Sequence, residues 1–249
     1  LAARLAEIRQ SVAKLERAHP GVPTYLTLGV PQMHRHLPGP GLACGVLHEV
    51  AAAAHGDRPA ALGFLFALTA VAQHVRPGPA VFVAARRALA DFGKLYGHGL
   101  RQLGLDVGRL ILVETRTHKD ALWAIEETLR SDVAAGMVAG AVEHSLDLTT
   151  SRRLNLAAGV HATPLMLLRG TKAAGISAAA TRWRIAAAPA ARDRFGDFAQ
   201  WRWHVVLERA RNGRPGEWLI EWNHVAHRFR LVEGVADRAP VASTGLRAG

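Results

Sequence analysis

Residues 41–60, GLACGVLHEVAAAAHGDRPA, lay out the frame of a phosphate site. A turn leads into an apolar strand from Val46 to Val50, then a loop of small residues, then an apolar helix from about Ala60 to Val75. A working loop in this frame reads G-x-x-x-x-G-K-[ST]: backbone N–H groups cradle the phosphate, the Lys neutralises it, and the Ser or Thr holds magnesium. The stretch in that register is His55-Gly56-Asp57-Arg58-Pro59, with Asp57 at the last Gly, Arg58 at the Lys and Pro59 at the hydroxyl residue. A carboxylate repels a neighbouring phosphate, and proline offers neither an N–H nor a hydroxyl. Nucleotide hydrolysis is therefore not expected, and no nucleotide or metal cofactor is assigned.

Other reactive residues form no convincing catalytic set. His48-Glu49 lies in the first core strand at the edge of the frame, where a buried, hydrogen-bonded His is preferred over a general base. Ser145 and Ser151 lack a recognisable His/Asp arrangement, so no nucleophile is assigned. His34-x-His36 and His224-x-x-His227 have no Cys or carboxylate at ligand spacing, and no metal site is assigned.

The 249 residues suffice for one large domain or two small ones, and a hydrophobic content of 49% implies a sizeable core. Net charge is +11, carried mostly by Arg, which favours a polyanion or an acidic protein as partner over a neutral one. An Arg-rich composition that merely solvates the surface is the plainer alternative. The lone Cys44 excludes an internal disulfide and suits a reducing, cytoplasmic compartment. No signal peptide is visible, Leu1 in place of Met fits a trimmed start or a fragment, and the 60–75 run is too short to span a bilayer.

Leu1, Leu5, Ile8, Val12 and Leu15 recur at helical spacing opposite Arg4, Arg9, Lys14 and Arg17, so an amphipathic helix is expected before His19-Pro20-Gly21. The Pro- and Gly-rich stretch 21–40 reads as loop or linker. From 41 to 170, apolar strands alternate with helices: strands at Val46–Val50, Pro79–Ala85, Arg109–Val113, Gly136–Val142 and Thr163–Leu168; helices at Ala60–Val75, Ala88–Leu103, His118–Val133 and Thr150–Ala158. Continuous apolar strands indicate a sheet covered on both faces, and the alternation implies parallel strands with right-handed crossovers. After Gly175 the period becomes two: Trp183 and Ile185; Trp201, Trp203, Val205 and Leu207; Trp218, Ile220 and Trp222; Phe229 and Leu231. These read as antiparallel strands, with the Trp set in the core. The expected class is α/β, in three parts: 1–40, helix and linker; 41–232, core domain; 233–249, a disordered tail.

The layout resembles RecA. GLACGVLHEV is similar to the recombinase's first core strand, and PAVFVAARRAL to the next, with Arg86 where RecA carries its catalytic Glu. Glu143, ending GAVE, stands where an Asp helps hold magnesium, although Gly140 is the closer match. Leu167-Leu168-Arg169 replaces an Asn-Gln pair that senses nucleotide. TSRRLNLAA (Thr150 to Ala158), SAAATRWRI and the W-x-x-E-W phrase at Trp218–Trp222 are similar to the ImuA family, a RecA-like group with lost loops. The first phrase is also similar to SulA, a shorter division inhibitor.

The resemblance implies a role in damage-induced translesion synthesis, in which ImuA proteins act with ImuB, an inactive polymerase-like partner, and with an error-prone polymerase. The function it implies is a non-catalytic RecA-like adaptor that binds an ImuB-like protein, with RecA and single-stranded DNA as further candidate partners and no membrane. On the recombinase template two loops face DNA, one before Arg152 and Arg153, the other at Gly170–Ala180 with Arg169 and Lys172. Arg209 and Arg211 fall near lysines that reach a neighbouring subunit's nucleotide; with Arg182 and Arg184 they are the candidate partner contacts. Ordinary surface loops and solvated strand charges are the competing explanation for both groups. The alternative functions are an atypical DNA-dependent ATPase, a SulA-like inhibitor of division and a modulator of recombinase filaments.

Overall fold

The computed structural model describes residues 24–90, 92–132, 135–143, 146–171, 175–192 and 198–232. The amphipathic helix expected before residue 20, the tail from 233, Ser145 and Lys172 lie outside them. In chain order the elements are β1 (Tyr25–Leu26), α1 (Pro31–His34), β2 (Leu42–Ala43), β3 (Leu47–Ala52), α2 (Arg58–Val75), β4 (Ala80–Ala85), α3 (Gly97–Gln102), β5 (Leu110–Thr115), α4 (His118–Arg130), β6 (Met137–Val142), α5 (Leu148–Val160), β7 (Leu165–Arg169), β8 (Thr181–Arg192), β9 (Phe198–Ala210), β10 (Gly216–Asn223) and β11 (Arg228–Leu231).

Strands β3 to β11 make one nine-stranded sheet in the order β11-β10-β9-β8-β3-β7-β6-β4-β5. Pairing is parallel from β5 through β8, and antiparallel from β8 to β11. This is the mixed α/β class expected: a parallel core with a meander added at one edge. The meander continues the same sheet because β8 pairs parallel with β3 and antiparallel with β9.

Each face of the sheet has its own apolar layer. On one side α2 packs against Phe82, Met166, Trp183 and Trp203. On the other, α4 and α5 cover Val81, Val83, Val138, Leu165 and Leu167. Period two in the strands divides neighbours between these layers. The aromatic set anchors the meander to α2: Phe64 meets Trp203 at 5.9 Å and Phe229 at 5.4 Å, and Trp222 meets Phe229 edge-on at 4.8 Å. Edge-to-face aromatic pairs add to the hydrophobic gain from burial.

The structure departs from the sequence pattern in four places. Trp201, expected in the core, is 41% exposed near the start of β9: it pairs with Trp222 of β10 but its side chain lines a cavity beside α2 instead of a filled layer. The helix expected over Ala88–Leu103 is broken into a single turn at Arg86–Leu89 and the short α3. Gly93 takes a left-handed φ of +68°, a conformation helices do not contain, and Gly97 and Gly99 lower helix propensity further. Residues 24–40 are packed rather than loosely linking: Leu26, Leu28, Val30, Met33 and Leu37 join the α2 layer. Their apolar side chains outweigh the Pro and Gly signal. Finally, β5 is an edge strand, and Ile111 and Leu112 are half exposed although the run RLILV reads as fully buried.

Candidate functional site

The strand–loop–helix frame is present, with β3 entering a short 3-10 turn at His55–Asp57 and α2 beginning at Arg58. Proline is tolerated in a helix's first turn because its missing N–H would have no partner there, so Pro59 starts α2 without strain. Asp57 turns its carboxylate onto backbone donors. One oxygen accepts from the Ala54 N–H at 3.0 Å, the other from the Ala187 N–H of β8 at 2.9 Å. A charge of the protein's own thus occupies N–H groups beside the loop.

Arg58 forms an ion pair with Glu143 and donates to the Ala88 carbonyl at 3.3 Å. Its guanidinium lies 5.0 Å from the centre of the Phe92 ring, within cation–π range. The cavity lined by Arg58, Glu143, Ala52, Ala88, Arg169 and Gly170 measures about 10 Å³. That is about enough space for one water molecule. Glu143, rather than Gly140, lines this cavity. A Cβ built on Gly140 points to the opposite layer, 2.7 Å from Ile125 Cδ1 of α4, so that position holds no side chain for packing reasons. Arg86, in the turn after β4, is exposed and lies 3.8 Å from Glu114.

A second charged cluster sits one strand-width away. Glu49 of β3 is 1% exposed. It accepts from Arg182 Nε at 2.9 Å and from the Ser177 hydroxyl at 3.1 Å. Arg169 Nε approaches to 3.7 Å. Burial pulls the Arg169 guanidinium below its ordinary pKa, opposed by Glu49 and reinforced by Arg182. Arg169, a candidate DNA contact, is thus turned into the core.

The four candidate partner-binding arginines converge on the backbone of the loop before β8. Arg182 donates to the Gly175 carbonyl at 3.0 Å, Arg184 to Thr171 at 2.8 Å, Arg209 to Ser177 at 3.0 Å and Ala179 at 2.9 Å, and Arg211 to Ala178 at 3.0 Å. Arg184 also pairs with Glu208 at 2.8 Å. Ser151 accepts from the Ala178 N–H at 3.0 Å and donates its hydroxyl to the Leu148 carbonyl at 3.0 Å. Guanidinium groups with several fixed donors suit this stitching, where a Lys would offer a point charge.

Arg152 is exposed on α5, while Arg153 pairs with Glu126 of α4 at 2.6 Å. The start of α5 is capped by Asp147, which accepts from the Thr150 N–H at 2.6 Å; that bond holds the Asp147 carboxyl below its ordinary pKa. His48 is buried, bonded to Thr181 Oγ1 at 2.7 Å and to the Ala43 carbonyl at 2.8 Å. Burial lowers its pKa to about 4, so it sits neutral in the core. His34 accepts from the Leu28 N–H, and His36 bonds the Pro215 carbonyl; among the described residues no group of His, Cys, Asp and Glu is arranged to hold a metal.

Sequence reasoning misses Glu49 as a hub. The available signal is a carboxylate inside the run LHEVAA, whose other members read as core. A buried charge in such a strand demands a cationic partner.

No protein-family model matches the chain. Two curated proteins do, both with the name Protein ImuA, from two strains of Caulobacter vibrioides. Each is 37% identical over 241 residues, covering 90% of this chain and 96% of the relative.

Two stability measurements check this geometry. Glu49→Gln leaves Arg169 and Arg182 without a counter-charge in the core, and a broken buried pair costs about 3–5 kcal/mol. Denaturant unfolding is expected to show a loss of that order; a change below about 0.5 kcal/mol, the scale of surface substitutions, contradicts the hub. For His48, the depressed folded pKa means the unfolded chain binds the proton more readily. Its contribution is fully present above the ordinary value of about 6.5 and is lost as pH falls towards about 4. The expected result is a fall in unfolding free energy across that window, shallower in His48→Gln; equal slopes contradict it.

Proposed function

The chain belongs to the ImuA family, and on that premise we propose that it is a non-catalytic RecA-like adaptor in damage-induced translesion DNA synthesis. It holds an ImuB-like, inactive polymerase partner, with RecA and single-stranded DNA as further ligands, and it does so without turning over ATP. The Arg58–Glu143 ion pair is the observation that carries the reading. A motor keeps its Lys free for phosphate and its acid free for magnesium. Here the residues at or near those two positions neutralise each other, and about 10 Å³ is left between them.

The adaptor reading also accounts for the frame that remains. A three-layer α/β scaffold with arginine-pinned loops is a rigid platform, and function on such a fold resides in surface sites rather than in the fold itself. For DNA, Arg152, which is exposed, and Lys172, outside the described residues, remain the proposed contacts, since Arg169 faces Glu49.

Separate pull-downs with an ImuB-type protein, RecA and single-stranded DNA test this. Capture of the ImuB-type protein is expected, with the same yield in the presence and absence of ATP and magnesium. Failure to capture it, or capture only with ATP present, contradicts the adaptor reading.

A further inference from the structure

A cavity opens beside Pro59, next to the loop at residues 55–58. It measures about 720 Å³, within the range of ligand-binding clefts. Its walls come from three places: Leu62 and Phe66 of the first half of α2, Phe92 and Leu100 of the segment around α3, and Trp203 and Trp201 of β9. Its floor is low where Gly63, Ala187 and Ala188 carry almost no side chain, so a bound backbone can approach closely. Two aromatic groups stand open at the trough: Trp201 is 41% exposed and Tyr96 is 70% exposed, whereas Trp203, two residues on, is 4% exposed.

Among the described residues, the charged side chains that line this trough are both cationic. Lys94 and Arg202 line it, and none of the described lining residues is a carboxylate. Arg202 is held by Glu221 at 3.1 Å, while Lys94 is exposed and makes no ion pair among the described residues. Lys94 also lines the neighbouring cavity of about 480 Å³, so it stands on the ridge between the two. The chain's own residues 1–20 carry Arg4, Arg9, Lys14 and Arg17 against Glu7 and Glu16, so their balance is cationic like the trough's. The trough thus combines an apolar lining with an exposed cation at Lys94, which suits an acidic occupant and disfavours that segment. The lining is dominated by apolar side chains, which fits a peptide's apolar anchors better than a phosphate backbone, whose grooves carry a dense row of cations.

We propose that this trough is the docking site for an acidic segment of a partner protein bearing aromatic or leucine anchors, with Trp201 and Lys94 as its principal contacts. The proposal rests on the adaptor reading and supplies that reading with a surface. Trp201 acts as the anchor wall, and Lys94 selects the sign of the partner's flanks. Both side chains are exposed, so substituting them leaves the core intact.

The test is fluorescence anisotropy with the full chain and a labelled amphipathic peptide, Leu and Phe on one face, Glu and Asp on the other. Saturable binding is expected, weakened about tenfold or more by Trp201→Ala and by Lys94→Glu, and by less than about twofold by Lys119→Glu on α4 across the sheet. A peptide with Lys in place of Glu and Asp is expected not to bind. No saturable binding, or equal effects of Lys94→Glu and Lys119→Glu, overturns the proposal. So does tighter binding in Leu5→Glu/Ile8→Glu, which would mean that the chain's own segment fills the trough. Oligothymidine that displaces the peptide and is itself lost with Trp201→Ala would assign the trough to nucleic acid and overturn it likewise. Capture of an ImuB-type protein by the wild type and equally by Trp201→Ala/Lys94→Glu removes the trough and leaves the adaptor reading. Peptide binding as expected, without capture of that protein, removes the adaptor reading and leaves the trough.

Discussion

The contact of the Arg58 guanidinium with the Glu143 carboxylate ties the start of α2 to the end of β6, where a RecA-type motor would seat phosphate and magnesium. Its stability contribution is modest, since ion pairs near the surface are worth up to about 1 kcal/mol. Its consequence for ligands is larger. A phosphate entering the site must displace Glu143 from Arg58 or face it, and two like charges at about 4 Å repel by about 4 kcal/mol at an effective dielectric of about 20. Asp57 adds a second carboxylate beside the same loop, already bonded to the Ala54 and Ala187 amides. Two carboxylates therefore stand at the loop, each already engaged by the chain's own donors.

The rest of the charge has a similar inward pattern. Glu49 gathers Arg182, Arg169 and Ser177, and Arg182, Arg184, Arg209 and Arg211 bind loop carbonyls. Arg76 and Arg109 do the same at the opposite end of the sheet, donating to Gly136, Ala162, Gln73 and Gly78. A net charge of +11 therefore overstates the cation surface open to a polyanion. Several arginines are structural fasteners. The loop before β8 is bonded by side chains of β8 and β9 and by Arg211 just beyond β9.

Much of this is legible in the residues. The alternation of apolar runs locates β3, β4, β6, β7 and α2 within a few positions, because buried parallel strands and their crossover helices have distinct periods. Period two after Gly175 locates the meander. The break in the expected 88–103 helix is signalled only by Gly93, Gly97 and Gly99, and the apolar spacing masks them. Trp201 is misplaced by its pattern because period two assigns a face but says nothing about whether that face is covered there, and Trp201 lines an open cavity. At the site, the missing Lys and Ser/Thr are visible in the His55–Pro59 stretch. The pairing of Arg58 with Glu143 is not, because it joins residues 85 apart and depends on which face of β6 each position takes.

The claim that the chain's own charges close the phosphate site is tested most directly by titration calorimetry of ATP with magnesium into the full protein. A site closed in this way gives no saturable heat, and none in Arg58→Ala either. Tight, magnesium-dependent binding that disappears in Arg58→Ala would contradict it.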